Sequence, residues 1–173
     1  MTSLDELFTS KNAIAIPDVI ANVAAVRVRI EAGTWTRYPL VDRGSYAYQT
    51  PELPDVIATM VRAAEAIRRR PQQVVEARVV KLVPGDYLLA HHDRRHDGLE
   101  LVVDLSEAAI PGVEIHYRQL GEVYFAFGGP PGAMAMVERD KSVICNHTYV
   151  SKLHRGASII RLMVRLRSLF KQP

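Results

Sequence analysis

The sequence predicts a mainly β domain, a jelly roll or barrel of antiparallel strands buttressed by helices on its N-terminal side. Three observations predict it. From residue 73 onward, β-branched residues come in eight short runs at sheet-like intervals. Those runs are separated by the turn formers Pro84-Gly85, Asp97-Gly98, Pro111-Gly112, the glycine- and proline-rich stretch 128–132, and Arg155-Gly156, with no helical pattern between them. Before residue 73 the apolar residues recur at helical spacing instead.

Pro17-Asp18 opens the first helix, with Val19, Ile20, Val23 and Val26 on one side and Gly33 near its end. A loop over 35–48 follows, carrying Trp35, Tyr38, Tyr46 and Tyr48 together with Arg37 and Arg43. Such a loop lines a pocket or packs on the sheet. Thr50-Pro51 opens the second helix, in which Ile57, Met60, Val61, Ala64 and Ile67 form an apolar stripe. Arg68-Arg69-Arg70-Pro71 closes it, placing basic charge at the negative end of the helix dipole and a proline stop after it. The strands are expected at 74–83, 86–91, 99–105, 113–119, 122–127, 133–138, 142–146 and 157–166. One domain over 1–173 is expected, with a helical scaffold at 1–72 and the sheet core at 73–168.

A chain of 173 residues with 48% hydrophobic and 24% charged residues has the composition of a globular protein rather than a disordered one. No apolar run approaches the ~20 residues that cross a bilayer, and the opening residues are acidic where a signal peptide is basic. A soluble cytoplasmic protein is expected, with no membrane partner. The single cysteine, Cys145, has no intrachain disulfide partner, so a metal would have to use His, Asp or Glu. Of 22 basic residues 17 are Arg, which suits forked recognition of carboxylate or phosphate, yet the net charge is only +3. Nucleic acid is therefore a weak expectation as a partner, and a small-molecule substrate the stronger one.

The chemistry concentrates at two strand ends. In the strand ending Ala90-His91-His92-Asp93, alternation puts His91 and Asp93 on one face and His92 on the other. A second histidine, His147, ends a later strand after Pro131-Gly132. Two imidazoles and one carboxylate on one face of a metal make the facial set of non-haem Fe(II) oxygenases, which leaves positions open for a chelating cosubstrate and O2. The remaining histidines have plainer readings. His92 packs or lies at the surface, His96 sits in a polar loop, and His116 faces either side of its strand. His154 competes with His147 because it also precedes the last strand, while Cys145 and Met163 read as packing residues.

From Val79 to Leu166 the chain resembles the double-stranded β-helix, or cupin-like jelly roll, of the Fe(II)/2-oxoglutarate-dependent dioxygenases, in the style of their prolyl 4-hydroxylase branch. The matching pieces are Pro84-Gly85-Asp86-Tyr87-Leu88, His91-His92-Asp93, Leu101 to Ser106, Gly112 to Tyr117, Pro131 to Met136, and His147 with Val150, Leu153 and Gly156 before Ile159-Ile160-Arg161-Leu162. The resemblance implies a dioxygenase whose cofactors are Fe(II), 2-oxoglutarate and O2. Iron would be held by His91, Asp93 and His147. The far carboxylate of 2-oxoglutarate would be held by Arg161, fourteen residues past His147, with Arg165 in reserve and Tyr87 as a further contact. Here the chain departs from the branch, whose basic residue lies nearer the distal histidine, where Gly156 and Ser158 stand. The implied reaction is hydroxylation of an unactivated C–H bond with release of succinate and CO2, on an amino acid or peptidyl side chain. Arg94, Arg95, Arg118 and Arg37 are candidates to grip a substrate carboxylate, or they form a charged rim. A nucleic-acid-directed oxygenase of the same fold and a non-catalytic cupin-like binding module are the alternatives.

Overall fold

The computed structural model describes residues 3–38, 42–91 and 98–169, with only the backbone at 90 and 91. Three helices and eleven strands follow one another as α1 (Leu4–Lys11), β1 (Ala13–Ile16), α2 (Val23–Glu31), β2 (Thr36–Tyr38), β3 (Gly44–Gln49), α3 (Pro54–Arg68), β4 (Gln72–Leu82), β5 (Tyr87–His91), β6 (Gly98–Asp104), β7 (Ile115–Gln119), β8 (Glu122–Phe127), β9 (Met134–Arg139), β10 (Ile144–His147) and β11 (Ile159–Ser168). All strand pairs are antiparallel, in the order β1-β9-β6-β11-β4-β3-β5-β10-β7-β8, with β2 beside β3. The path turns at β3. Ala47, Tyr48 and Gln49 pair with β4 on the larger sheet, whereas Gly44 and Ser45 pair with β5 on the smaller one. The result is the expected jelly roll.

The helices cover the outer face of the larger sheet. Phe8, Val26, Ile30, Val56, Met60, Ala64 and Ile67 pack there on Leu101, Val103, Met136, Leu162 and Val164. Strand β6 is consequently buried on both faces, with its odd-numbered residues under the helices and Glu100, Val102 and Asp104 turned between the sheets. Between the sheets, Val102, Ala135 and Val137 meet Ile115, Tyr117 and Phe127, and Tyr46, Val80 and Leu82 meet Val113 and Val150.

All eight strands expected after residue 73 are present, with ends shifted by one or two residues. The segment before it is less helical than its apolar spacing suggested. Helix α2 begins at Val23, not at Pro17, because Val19 N–H and Ile20 N–H donate to the carbonyl of Gly132 and Asn22 caps the helix. Gly132 sits at φ +87°, and a Cβ there would lie 2.4 Å from Ile20 O. The aromatic stretch expected as a loop contains β2 and β3, and β1 adds an outer strand to β9. Helix α3 starts at Pro54 and ends where Arg69 turns left-handed at φ 51°.

Candidate functional site

Strands β10 and β11 bring a histidine and an arginine together between the sheets. His147 ends β10 with only 2% of its surface exposed, and its Cα pairs with Ile115 on one side and Leu88 on the other. Arg161, on β11, is wholly buried. Its Nη1 lies 3.3 Å from His147 Nδ1, its Nη2 donates to Val113 O at 2.9 Å, and its Nε lies 3.4 Å from Asp104 Oδ2. Burial pulls the Arg161 pKa down, and Asp104 opposes that shift. Asp104 is fixed in turn by the Ser106 N–H at 2.9 Å.

The strand carrying His91 runs beside β10, with His91 Cα opposite Cys145 Cα and Leu88 Cα opposite His147 Cα. Two residue steps on β10 therefore face three on β5, so β5 holds one extra residue between Leu88 and His91. That insertion interrupts the alternation expected to put Tyr87 on the face of His91. Leu88 lines the space between the sheets, whereas Tyr87 pairs with Ser45 at the alternate position. Among the described residues no three of His, Cys, Asp and Glu lie close enough together to hold a metal ion. Asp93, His92, Arg94, Arg95 and His96 lie outside the described residues, as does the side chain of His91. In donor chemistry, two imidazoles and a carboxylate suit Fe(II), and the backbone sets two of the three expected ligands on neighbouring strands.

A cavity opens beside this pair, toward the far end of β11. Its described lining is Tyr46, Glu76, Arg78, Val80, Leu88, Arg139, Cys145, Met163 and Arg165. At about 70 Å3 it exceeds several-fold the 10–15 Å3 that one water occupies. Glu76 accepts from Arg165 at 3.1 Å and from Arg78 at 2.9 Å, and Arg78 stacks over the Tyr48 ring. Behind them Glu100 is fully buried, accepting from Tyr117 Oη and from Arg139 Nη1, each at 2.8 Å. Burial, and then the Glu100 charge, push the Cys145 thiol up to about 12 and raise the Tyr117 phenol well above its usual value.

The other expected groups are held elsewhere. Arg118 and His116 occupy the outer face of β7, where Arg118 Nε donates to Asn146 at 3.2 Å and His116 Nε2 lies 2.9 Å from Glu114. Neither faces the interior, because Ile115 and Tyr117 take the inward positions. Arg37 clamps the buried Asp86 with both terminal nitrogens and also donates to Ser45 Oγ at 2.6 Å. Its guanidinium is thus used in joining β2 to the start of β5. His154 lies in the turn before β11 and is partly exposed. Sequence reasoning missed Asp104, Glu100, Arg139, Glu76 and Arg78. One signal was available: two carboxylates, Glu100 and Asp104, inside the otherwise apolar run Leu99 to Leu105 require buried cations.

No protein-family model and no curated protein matches the chain in sequence. Its shape does match solved structures. An oxidoreductase of the 2OG-Fe(II) oxygenase family from Burkholderia pseudomallei superposes with TM-score 0.74 at 10% identity, covering 94% of this chain and 88% of that one. A prolyl-4-hydroxylase from Pseudomonas putida gives 0.67 at 14% identity, over 95% and 96% of the two chains. The viral collagen prolyl hydroxylase of Paramecium Bursaria Chlorella virus-1, solved as its 2OG complex, gives 0.66 at 14% identity, over 93% and 98%. The chain therefore has the fold of these oxygenases.

Proposed function

We propose that this protein is an Fe(II)- and 2-oxoglutarate-dependent dioxygenase that hydroxylates an unactivated C–H bond of a small molecule, an amino acid or a peptidyl side chain. The observation that carries the reading is the buried His147, set between the sheets of an oxygenase jelly roll beside the strand that ends in His91. His91, Asp93 and His147 would hold the iron. When bound, iron and 2-oxoglutarate supply O2 activation, with succinate and CO2 as coproducts.

The chain's own work is to bind, orient and exclude. Arg161, itself held by Asp104 and Val113 O, lies with its Nη1 3.3 Å from His147 Nδ1 and packs against the ring. Ile115, Leu82 and Val150, each fully buried, give the interior apolar walls. Arg94 and Arg95, next to Asp93 in sequence, are the expected groups for a substrate carboxylate.

The test is succinate release from 2-oxoglutarate, dependent on Fe(II) and O2, in the unmodified protein and in alanine variants. His91→Ala, Asp93→Ala and His147→Ala should each lose at least ~100-fold, and His154→Ala should retain most activity. Full activity in His147→Ala would remove it from the ligand set. Absence of succinate under all conditions would favour a binding module.

A further inference from the structure

We propose that Cys145 is a further metal ligand, its thiolate bound to the ion until 2-oxoglutarate arrives and displaces it. The inference rests on the oxygenase reading above and adds a fourth protein ligand to the resting site.

Strand register places the thiol there. Cys145 Cα lies opposite His91 Cα, a separation of about 5 Å in an antiparallel pair. His147 follows two residues along β10 on the same inward face, about 7 Å away. A metal ion shared by the two imidazoles is therefore held over Cys145, which stands directly across from one histidine and next but one to the other. The extra residue of β5 lies between Leu88 and His91, so it leaves Cys145 and His147 in regular alternation on β10.

The surroundings suit a thiolate that is covered yet not packed shut. Cys145 is 1% exposed but borders the cavity of about 70 Å3, so an ion has room beside its sulfur without contact with bulk solvent. Arg139 borders the same cavity and turns its guanidinium toward the thiol. Its Nη1 holds Glu100 and its Nη2 reaches Val143 O at 3.4 Å, but among the described residues its Nε, equally buried, has no acceptor. A buried donor left over in this way calls for an anion. The sulfur beside it becomes one when a metal takes the place of the thiol proton.

Coordination number sets what the thiolate does. Two imidazoles and a carboxylate leave three positions on a six-coordinate ion. A chelating 2-oxo acid fills two and O2 the third, so the thiolate holds a position only while the cosubstrate is absent. On chelation the metal–sulfur bond breaks, the sulfur takes a proton from solvent, and oxygens of the 2-oxo acid bind in its stead. Thiolate is also a soft donor, so Cys145 biases the resting site toward softer ions.

The experiment is anaerobic titration of the metal-free protein with Co(II), followed in the near ultraviolet and by calorimetry, for the unmodified protein, Cys145→Ser and Cys145→Ala. One bound Co(II) should bring the intense sulfur-to-cobalt band of a thiolate ligand to the unmodified protein, and both variants should bind one Co(II) without it. Saturating 2-oxoglutarate should bleach most of the band. Cys145→Ala should weaken Cd(II), a soft ion, at least ~10-fold and leave Mn(II), a hard one, within ~2-fold. One Co(II) bound with no thiolate band overturns the assignment, as does a band that survives in Cys145→Ala, and neither outcome touches the oxygenase reading. A band unmoved by 2-oxoglutarate that calorimetry shows to be bound overturns the displacement. If the unmodified protein binds no Co(II), or binds Co(II) and then no 2-oxoglutarate, the oxygenase reading itself fails. The spectrum of the unmodified protein needs no variant, so it decides the matter even where a substitution at this buried position unfolds the chain.

Discussion

Glu100 shows how a single buried charge organises the interior. It is out of contact with solvent and takes donors from both sheets, Arg139 from β9 and Tyr117 from β7. Removing its charge strands Arg139, which is 1% exposed. Glu100→Gln should therefore cost about 3–5 kcal/mol of unfolding free energy. Tyr117→Phe removes one donor and should cost about 1–3 kcal/mol. Urea denaturation of both variants checks the order, and a Glu100→Gln protein as stable as its parent would refute the role given to the pair. The same burial sets a pH dependence. The folded state holds the Cys145 thiol and the Tyr124 phenol up to about 12, above their usual values of 9.0 and 10.0. The unfolded chain then releases these protons first, so their contribution is complete below about pH 9 and is lost as pH rises toward 12. Denaturation midpoints should hold from pH 8 to about 9 and fall from there to pH 11, and iodoacetamide at pH 8.5 should label Cys145 only after unfolding.

At the scale of elements, the eight strands after residue 73 were legible because each is a short β-branched run closed by a turn former. Strands β1, β2 and β3 were not. Ala13–Ile16 is four residues with no polar alternation, and the tyrosines of β3 read as a pocket loop although Gly44–Gln49 buries alternate residues over its first half. Their pairing with β9, β4 and β5 is non-local, and no pattern within the segment encodes it. The extra residue in β5 was hidden for the same reason, since a bulge is defined only by its partner strand. Gly132 is where the helical cover is tied to the sheet, through the Val19 and Ile20 amides. Gly132→Ala would force a Cβ against Ile20 O at a left-handed φ, and should destabilise by about 1–3 kcal/mol. Thermal denaturation reads this directly: an unchanged Tm would show that the connection between β1 and α2 yields freely.

For the whole molecule, the jelly roll and the place of His147 within it followed from strand order and histidine position, while the polar interior did not. Asp104, Glu76 and Arg78 sit on strands where alternation alone leaves a charged residue equally able to face water. Only the closure of the two sheets turns them inward and seals Arg161 away from the cavity that Arg165 lines. The central proposal is that the interior binds iron and a 2-oxo acid. Its most direct measurement is anaerobic titration of the metal-free protein with Fe(II) and then 2-oxoglutarate, followed in the visible spectrum. A weak charge-transfer band should grow on addition of 2-oxoglutarate, saturate at one equivalent, and be missing from His147→Ala. A spectrum that stays flat through both additions, in a protein whose fold is intact, would contradict the account.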